Sequence, residues 1–311
     1  MTRTRSASFA NSVVFPGGVS EPVDGSPRWS QLLSSFGYTE QDFEALHHPA
    51  GEITPIFQDN PIQRHIALRI TAIRETFEEL GLLICSRQRK GDRTGLWADT
   101  IADIDVKYWQ ERLTKDPAAF NTLCEEHKCY PDIWSLHYWS NWLTPIKFPK
   151  RFDTAFFVAA LENKPEGIKS SSEVADVEWL TPAEVFKSNR ELYPPQIYEL
   201  YRLAHVKDLS KLIQFAKQRS GHATEVSYPV LVKANDGLLS LLPGDDLYPT
   251  SLDFNDNTIK FIDKPILELR EGCQTLHRLE FSKKSKQLII QNYKPEHHIT
   301  MEDKTYLANI A

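Results

Sequence analysis

Residues 66–82 restrict the fold more than any other segment, because an aliphatic stripe and three carboxylates interleave there at helical spacing. At about 100° per residue, with Ile66 at zero, Ile66, Ile70, Ile73, Phe77 and Leu80 fall within roughly 40° of one direction. Glu78, Glu75 and Glu79 fall at roughly 120°, 180° and 220°. The segment therefore reads as a helix that buries its stripe and turns its acids away. Gly81 ends it, since the left-handed capping conformation costs glycine least.

Three like charges on one helix face repel one another. A solvated acidic face is the plain reading, because charged helix faces are common. The sharper reading is a site for Mg²⁺ or Mn²⁺, hard cations that prefer oxygen ligands.

The flanking residues favour the second reading. Arg74 precedes the acids, Gly81 closes them, and Phe15-Pro16-Gly17-Gly18 lies upstream. Arg74-Glu75-Thr76-Phe77-Glu78-Glu79-Leu80-Gly81-Leu82 resembles the second half of the Nudix box, G-x5-E-x7-R-E-U-x-E-E-x-G-U with U aliphatic. Gly18 and Asp24, with five residues between them, resemble the first half. Asp24 is one methylene shorter than the usual Glu, and Thr76 replaces an aliphatic residue. The spacer is residues 25–73, 49 positions in place of seven. A loop can lengthen that far at modest entropic cost.

Further downstream, Asn141-Trp142-Leu143-Thr144-Pro145, Arg151-Phe152-Asp153-Thr154-Ala155-Phe156-Phe157 and Val177-Glu178-Trp179-Leu180-Thr181-Pro182 are similar to one branch of that family. Pro194-Pro195-Gln196 and Leu242-Pro243-Gly244-Asp245 agree with it. The branch is the acyl-coenzyme A diphosphatases (Nudix motif 19). The resemblance implies an α+β Nudix fold, a mixed sheet sandwiched between helices, with an insertion inside the box and a mixed α/β C-terminal extension. The expected division is a Nudix domain over 1–195, carrying the insertion 25–62, and an extension over 196–311, helical first and then β-rich.

The resemblance also implies a chemistry. Nudix enzymes hydrolyse a nucleoside diphosphate linked to another group, and metal ions neutralise the phosphates and activate water. Glu75, Glu78 and Glu79 are the expected ligands of Mg²⁺ or Mn²⁺, on spacing and resemblance together. The Gly17 carbonyl is expected to add one oxygen, since glycine lets backbone approach an ion closely. Arg74 is expected to orient and neutralise Glu75, and Asp24 to act through a metal-bound water. Glu173 is the candidate general base, with Glu178 structural beside Trp179. Asn141, Trp142, Arg151 and Asp153 are expected to shape the substrate pocket. There an exposed tryptophan would stack on adenine and an arginine would hold a 3′-phosphate. Trp142 as a core residue is the competing reading.

Three functions follow. The first is metal-dependent cleavage of coenzyme A or acyl-CoA to 3′,5′-ADP and (acyl-)phosphopantetheine. The second is hydrolysis of another nucleoside diphosphate derivative: a nucleotide sugar, a dinucleotide or capped RNA. The third is a non-catalytic binding module on the same fold, against which three mutually repelling acids argue.

Composition narrows the setting. The net charge of −6 argues against a general nucleic-acid surface. No run approaches the roughly 18 apolar residues of a membrane span. Cys85, Cys124, Cys129 and Cys273 form no C-x-x-C pattern and read as reduced thiols of an intracellular, reducing compartment. Cys124, His127, Cys129 and His137 cluster in sequence, but their spacing fits no familiar zinc pattern. The first twenty residues carry Arg3, Arg5, several serines and no acid, as mitochondrial transit peptides do. That stretch runs directly into Phe15-Pro16-Gly17-Gly18, so its removal would cut into the site. The end, Leu307-Ala308-Asn309-Ile310-Ala311, is no Ser-Lys-Leu peroxisomal address. The resemblance points to peroxisome or mitochondrion, and the lack of a clear signal keeps the cytosol open.

Helices are expected over 29–36 and 39–46 within the insertion, and this segment is expected to pack over or beside the site or to decorate the surface. Further helices are expected over 105–113 and 117–126, from Thr181-Pro182-Ala183-Glu184, and, as one or two helices, over 197–216. Strands are expected over 135–143, 152–161, 178–180, 228–232, 238–242, 258–262 and 288–291, with a hairpin turn at Asp236-Gly237.

Overall fold

A computed structural model of the chain describes residues 1–3, 12–47, 54–165, 174–188, 190–220, 225–256, 258–283 and 285–308. In chain order the first elements are β1 (Thr2–Arg3), α1 (Pro27–Ser35), α2 (Glu40–Glu44), α3 (Pro61–Leu80), β2 (Cys85–Ser86), α4 (Val106–Lys115) and α5 (Ala119–Glu126). β3 (Tyr130–Pro131), β4 (His137–Leu143), β5 (Asp153–Val158), β6 (Val174–Asp176), α6 (Pro182–Lys187), α7 (Pro194–Ala204) and α8 (Leu209–Ser220) follow. The last are β7 (Val226–Ser227), β8 (Val230–Ala234), β9 (Gly237–Leu241), β10 (Lys260–Phe261), α9 (Ile266–Glu271), β11 (Leu276–Ser282), β12 (Lys286–Gln291) and β13 (Lys304–Ala308). These elements form two compact units that interleave along the chain. One is Met1–Trp139, Ala155–Trp179 and Asp208–Thr224; the other is Ser140–Thr154, Leu180–Lys207 and Glu225–Ala311. Among the described residues no helix is long and apolar enough to cross a membrane.

The first unit is built around α3. Asn60 caps its start, accepting the Gln63 N–H on its side chain, and Pro61 opens the first turn. Gly81 closes it at φ 67°, donating its N–H to the Phe77 carbonyl at 2.8 Å. Ile66, Ile70, Ile73 and Phe77 are at most 1% exposed, so the stripe is the core face, and Leu80 is half-buried at its end. The insertion supplies the opposite wall. Ser26 caps α1, and a Thr39/Asp42 capping box starts α2. Trp29 and Leu33 of α1 are fully buried beside Tyr38 and Phe43, and the Trp29 ring lies 5.3 Å from that of Phe120 in α5. Each such side chain stabilises the fold by about 1.5–3 kcal/mol. The insertion is therefore part of the core, not a surface decoration.

The second unit carries a six-stranded sheet of order β10-β8-β9-β11-β12-β13, antiparallel except where β10 meets β8. The β8–β9 turn consists of Asn235 and Asp236, one residue earlier than expected, because Ala234 pairs with Gly237. Gly237 serves close approach instead: a Cβ there would lie 2.1 Å from the Phe281 carbonyl oxygen. Asp245 and Arg278, both fully buried, form a two-bond ion pair. In the same unit Asn141 and Trp142 of β4 pair in parallel with Val226 and Ser227.

Two expectations fail, and two further elements were not expected. Glu178–Leu180 is not a strand; the strand is β6, just before it, paired antiparallel to β1. Trp179 and Leu180 are 50% and 38% exposed and lead into the Thr181 cap of α6. The strand expected over 258–262 shortens to the two residues of β10. The strongly paired β11 and the helix α9 lay outside every expected element.

Candidate metal-binding and active site

Arg74 organises the site from α3. Its guanidinium is 2% exposed and uses all five N–H groups. Nε and one Nη2 hydrogen donate to Asp24 Oδ1 and Oδ2, each at 2.9 Å. The other Nη2 hydrogen goes to the Val19 carbonyl at 3.1 Å. Nη1 donates to Glu75 Oε1 at 3.0 Å and to Glu78 Oε1 at 2.7 Å.

Asp24 lies in the single-turn helix Pro22–Gly25 and is fully buried. Besides Arg74 it accepts the Thr71 hydroxyl at 2.8 Å and the Glu21 N–H at 3.0 Å. Both carboxylate oxygens are thus occupied by protein donors. Asp24 therefore braces the loop against the helix. The loop is further tied down by Trp29, whose indole N–H donates to the Val23 carbonyl at 2.9 Å, and by Gln63, whose amide donates to the Gly25 carbonyl at 3.0 Å.

The two glycines meet the glutamates. Gly17, at φ 147°, adopts backbone that other residues rarely take, and its N–H donates to Glu79 Oε2 at 2.9 Å. Gly17 is thus brought to the cluster by its amide. Gly18 lies flat against Glu75: a Cβ there would sit 2.4 Å from the carboxylate. Gln110 of α4 donates to the Phe77 and Glu78 carbonyls at 3.1 Å each, satisfying backbone acceptors near the end of α3.

Electrostatics follow from burial. Desolvation, reinforced by the Glu78 and Asp24 charges, outweighs Arg74 and raises the Glu75 carboxyl to about 7. Arg74 itself is buried, yet Asp24, Glu75 and Glu78 hold it firmly protonated. All the acidic donors are carboxylate oxygens, which suit Mg²⁺ or Mn²⁺. Among the described residues, however, the trio of ligating side chains whose donor atoms lie within 4.8 Å of one another is Cys85, Cys124 and Cys129, not the three glutamates. Arg74 holds Glu75 and Glu78, and Glu79 turns to Gly17.

The remaining candidates belong to the second unit, except Glu173, which lies outside the described residues. Asn141 is fully buried and donates to Asp153 Oδ1 at 2.6 Å and to the Thr154 carbonyl at 3.1 Å. Trp142 is 4% exposed, its indole N–H donating to Glu199 Oε1 at 2.8 Å and its ring 5.4 Å from Tyr198. The expectation of an exposed stacking ring is corrected: Trp142 is a core residue. Arg151 is exposed and binds two backbone carbonyls, Thr144 at 3.0 Å and Phe254 at 2.9 Å.

Sequence reasoning passed over Thr71 and Gln110. Thr71 had a signal, since it precedes Arg74 and Glu75 by three and four residues on the same helix face. Gln110 had none, because it arrives from another helix.

Comparison with known proteins identifies the family. Residues 1–203 match the family model for the NUDT19 Nudix domain, and residues 231–292 match that for the NUDT19 C-terminal domain. A Gallus gallus protein named acyl-coenzyme A diphosphatase NUDT19 is 35% identical over 299 residues, covering 89% of this chain and 79% of that protein. Its Xenopus laevis namesake is 33% identical over 312 residues, covering 94% of this chain and 82% of that protein. A solved NUDIX hydrolase from Alicyclobacillus acidocaldarius superposes with a TM-score of 0.50 at 21% identity, covering 68% of this chain and 85% of that one, and bears on the fold alone.

Proposed function

The chain belongs to the NUDT19 family of Nudix hydrolases, and from that premise we propose that it cleaves the phosphoanhydride bond of coenzyme A or acyl-CoA. Water adds across the P–O–P linkage, and the products are 3′,5′-adenosine bisphosphate and (acyl-)phosphopantetheine. The observation that carries this reading is the carboxylate cluster that Arg74 gathers against Gly17 and Gly18. Like charges are crowded there in a nearly dry setting, beside Gly18, whose missing side chain leaves the Glu75 carboxylate its place.

Glu75, Glu78 and Glu79 would hold Mg²⁺ or Mn²⁺. The bound ion would neutralise the diphosphate and lower the pKa of a water. Arg74 orients Glu75 and Glu78, and Asp24 keeps Arg74 in place. Gly18 leaves the Glu75 carboxylate room that any side chain would fill. Asn141, Arg151 and Asp153 are assigned to substrate positioning, and Glu173 to the general base.

Mass spectrometry of products from purified protein, with Mg²⁺ and a panel of coenzyme A, acyl-CoA, ADP-ribose, NADH and capped RNA, tests the reading. Release of 3′,5′-adenosine bisphosphate is expected. Cleavage of another panel member alone would keep the chemistry and refute the substrate. No cleavage by folded protein would favour a binding module.

A further inference from the structure

We propose that Cys85, Cys124 and Cys129 form a site for a thiophilic d¹⁰ cation, Zn²⁺ or Cu⁺, separate from the carboxylate cluster. Three of the chain's four cysteines meet there. They are fully buried, and their sulfurs lie within 4.8 Å of one another.

Two local devices bring them together. After α5 ends, Lys128 takes φ 51° and turns the chain back, so that the Cys129 N–H donates to the Cys124 carbonyl at 2.9 Å. Cys129 then enters β3, which pairs antiparallel with β2 and sets Pro131 opposite Cys85. The sequence cluster of Cys124, His127, Cys129 and His137 is therefore not the donor set. His127 Nε2 accepts the Trp109 indole N–H at 3.1 Å, and His137 belongs to β4. Cys85 takes their place.

The geometry suits a soft ion. Sulfurs bound to one ion at about 2.3 Å lie about 3.8–4.0 Å apart, inside the observed span. Thiolates select Zn²⁺ and Cu⁺ over the hard cations expected at the glutamates. Each thiol would lose its proton to solvent as its sulfur–metal bond forms. Because β2 follows closely on α3, the ion would tie the end of the glutamate-bearing helix to α5.

Elemental analysis of full-length protein, reduced, loaded separately with Zn²⁺ or Cu⁺ and dialysed against EDTA at neutral pH, tests this. One equivalent of one ion per chain is expected, with a higher Tm and thiolate charge-transfer absorption on Co²⁺ substitution of the Zn²⁺ form. The two loadings distinguish the ions. Glu78→Gln and Cys273→Ser should retain the ion, and Cys129→Ser should lose it. Wild-type protein that keeps neither ion, with unchanged Tm in both, overturns the proposal even if Cys129→Ser fails to fold. Retention by folded Cys129→Ser overturns it as well.

Discussion

Arg74 and Asp24 stand 50 residues apart in sequence and share two hydrogen bonds of 2.9 Å in a buried setting. That pair joins the two halves of a motif that an insertion has separated. The insertion is accommodated because α1 packs into the core while the loop before it stays pinned to α3 by Gln63 and Thr71.

Removing the strut leaves a buried guanidinium without its main counter-charge. Asp24→Ala is expected to cost about 3–5 kcal/mol of stability, read by urea unfolding. Mg²⁺-dependent turnover should fall with it. A variant as stable as the parent would contradict the positioning role.

Gly18→Ala places a methyl group where the Glu75 carboxylate sits, at 2.4 Å. Far-UV circular dichroism should remain native, while kcat drops by about 10²-fold, the scale of a 1 Å displacement at a reacting centre. Unchanged kcat would show that the Gly18–Glu75 approach does not matter to turnover.

Glu78→Gln keeps an oxygen for the Arg74 Nη1 hydrogen and removes one charge from the crowd. Thermal stability without added ion should hold or rise. Turnover should fall by on the order of 10²–10³-fold. Full activity in this variant would place the metal site elsewhere.

The Glu75 carboxyl is raised from 4.5 to about 7, by burial first and then by the Glu78 charge. Between those values the folded chain holds a proton that the unfolded chain has released, so this group's contribution to stability falls as pH rises through the window. Glu75→Gln should flatten that slope in pH-dependent unfolding. The same proton competes with the ion, so Mg²⁺ affinity should rise with pH and level off above about 7. Calorimetry in buffers of different ionisation enthalpy would register the released proton; equal Mg²⁺ affinity at either end of the window would refute the coupling.

Trp142→Phe keeps a buried ring but leaves Glu199 without the indole donor. Arg202 still pairs with that carboxylate, so the expected loss is about 1–3 kcal/mol of stability. KM for coenzyme A should stay the same. A raised KM with unchanged stability would return Trp142 to the substrate pocket.

Periodic burial is a local property, and α3 was legible for that reason. Its stripe, its glycine stop and the register of Glu75, Glu78 and Glu79 follow from turns of one helix, as do α4, α5 and the capped helices of the insertion. β11 was illegible because charge sits on its inside: Arg278 and Glu280 are buried, paired with Asp245 and Arg270, so no apolar alternation marks the strand.

By itself, then, the sequence determined which residues could form the acidic face and which family pattern they follow. Tertiary structure alone decided that Asp24 braces Arg74 and that Trp142 is core. It also decided that Cys85 joins Cys124 and Cys129, and that the compact units interleave along the chain. Such contacts depend on which distant segment closes over a residue. Helical spacing says which way a side chain points, not what arrives opposite it.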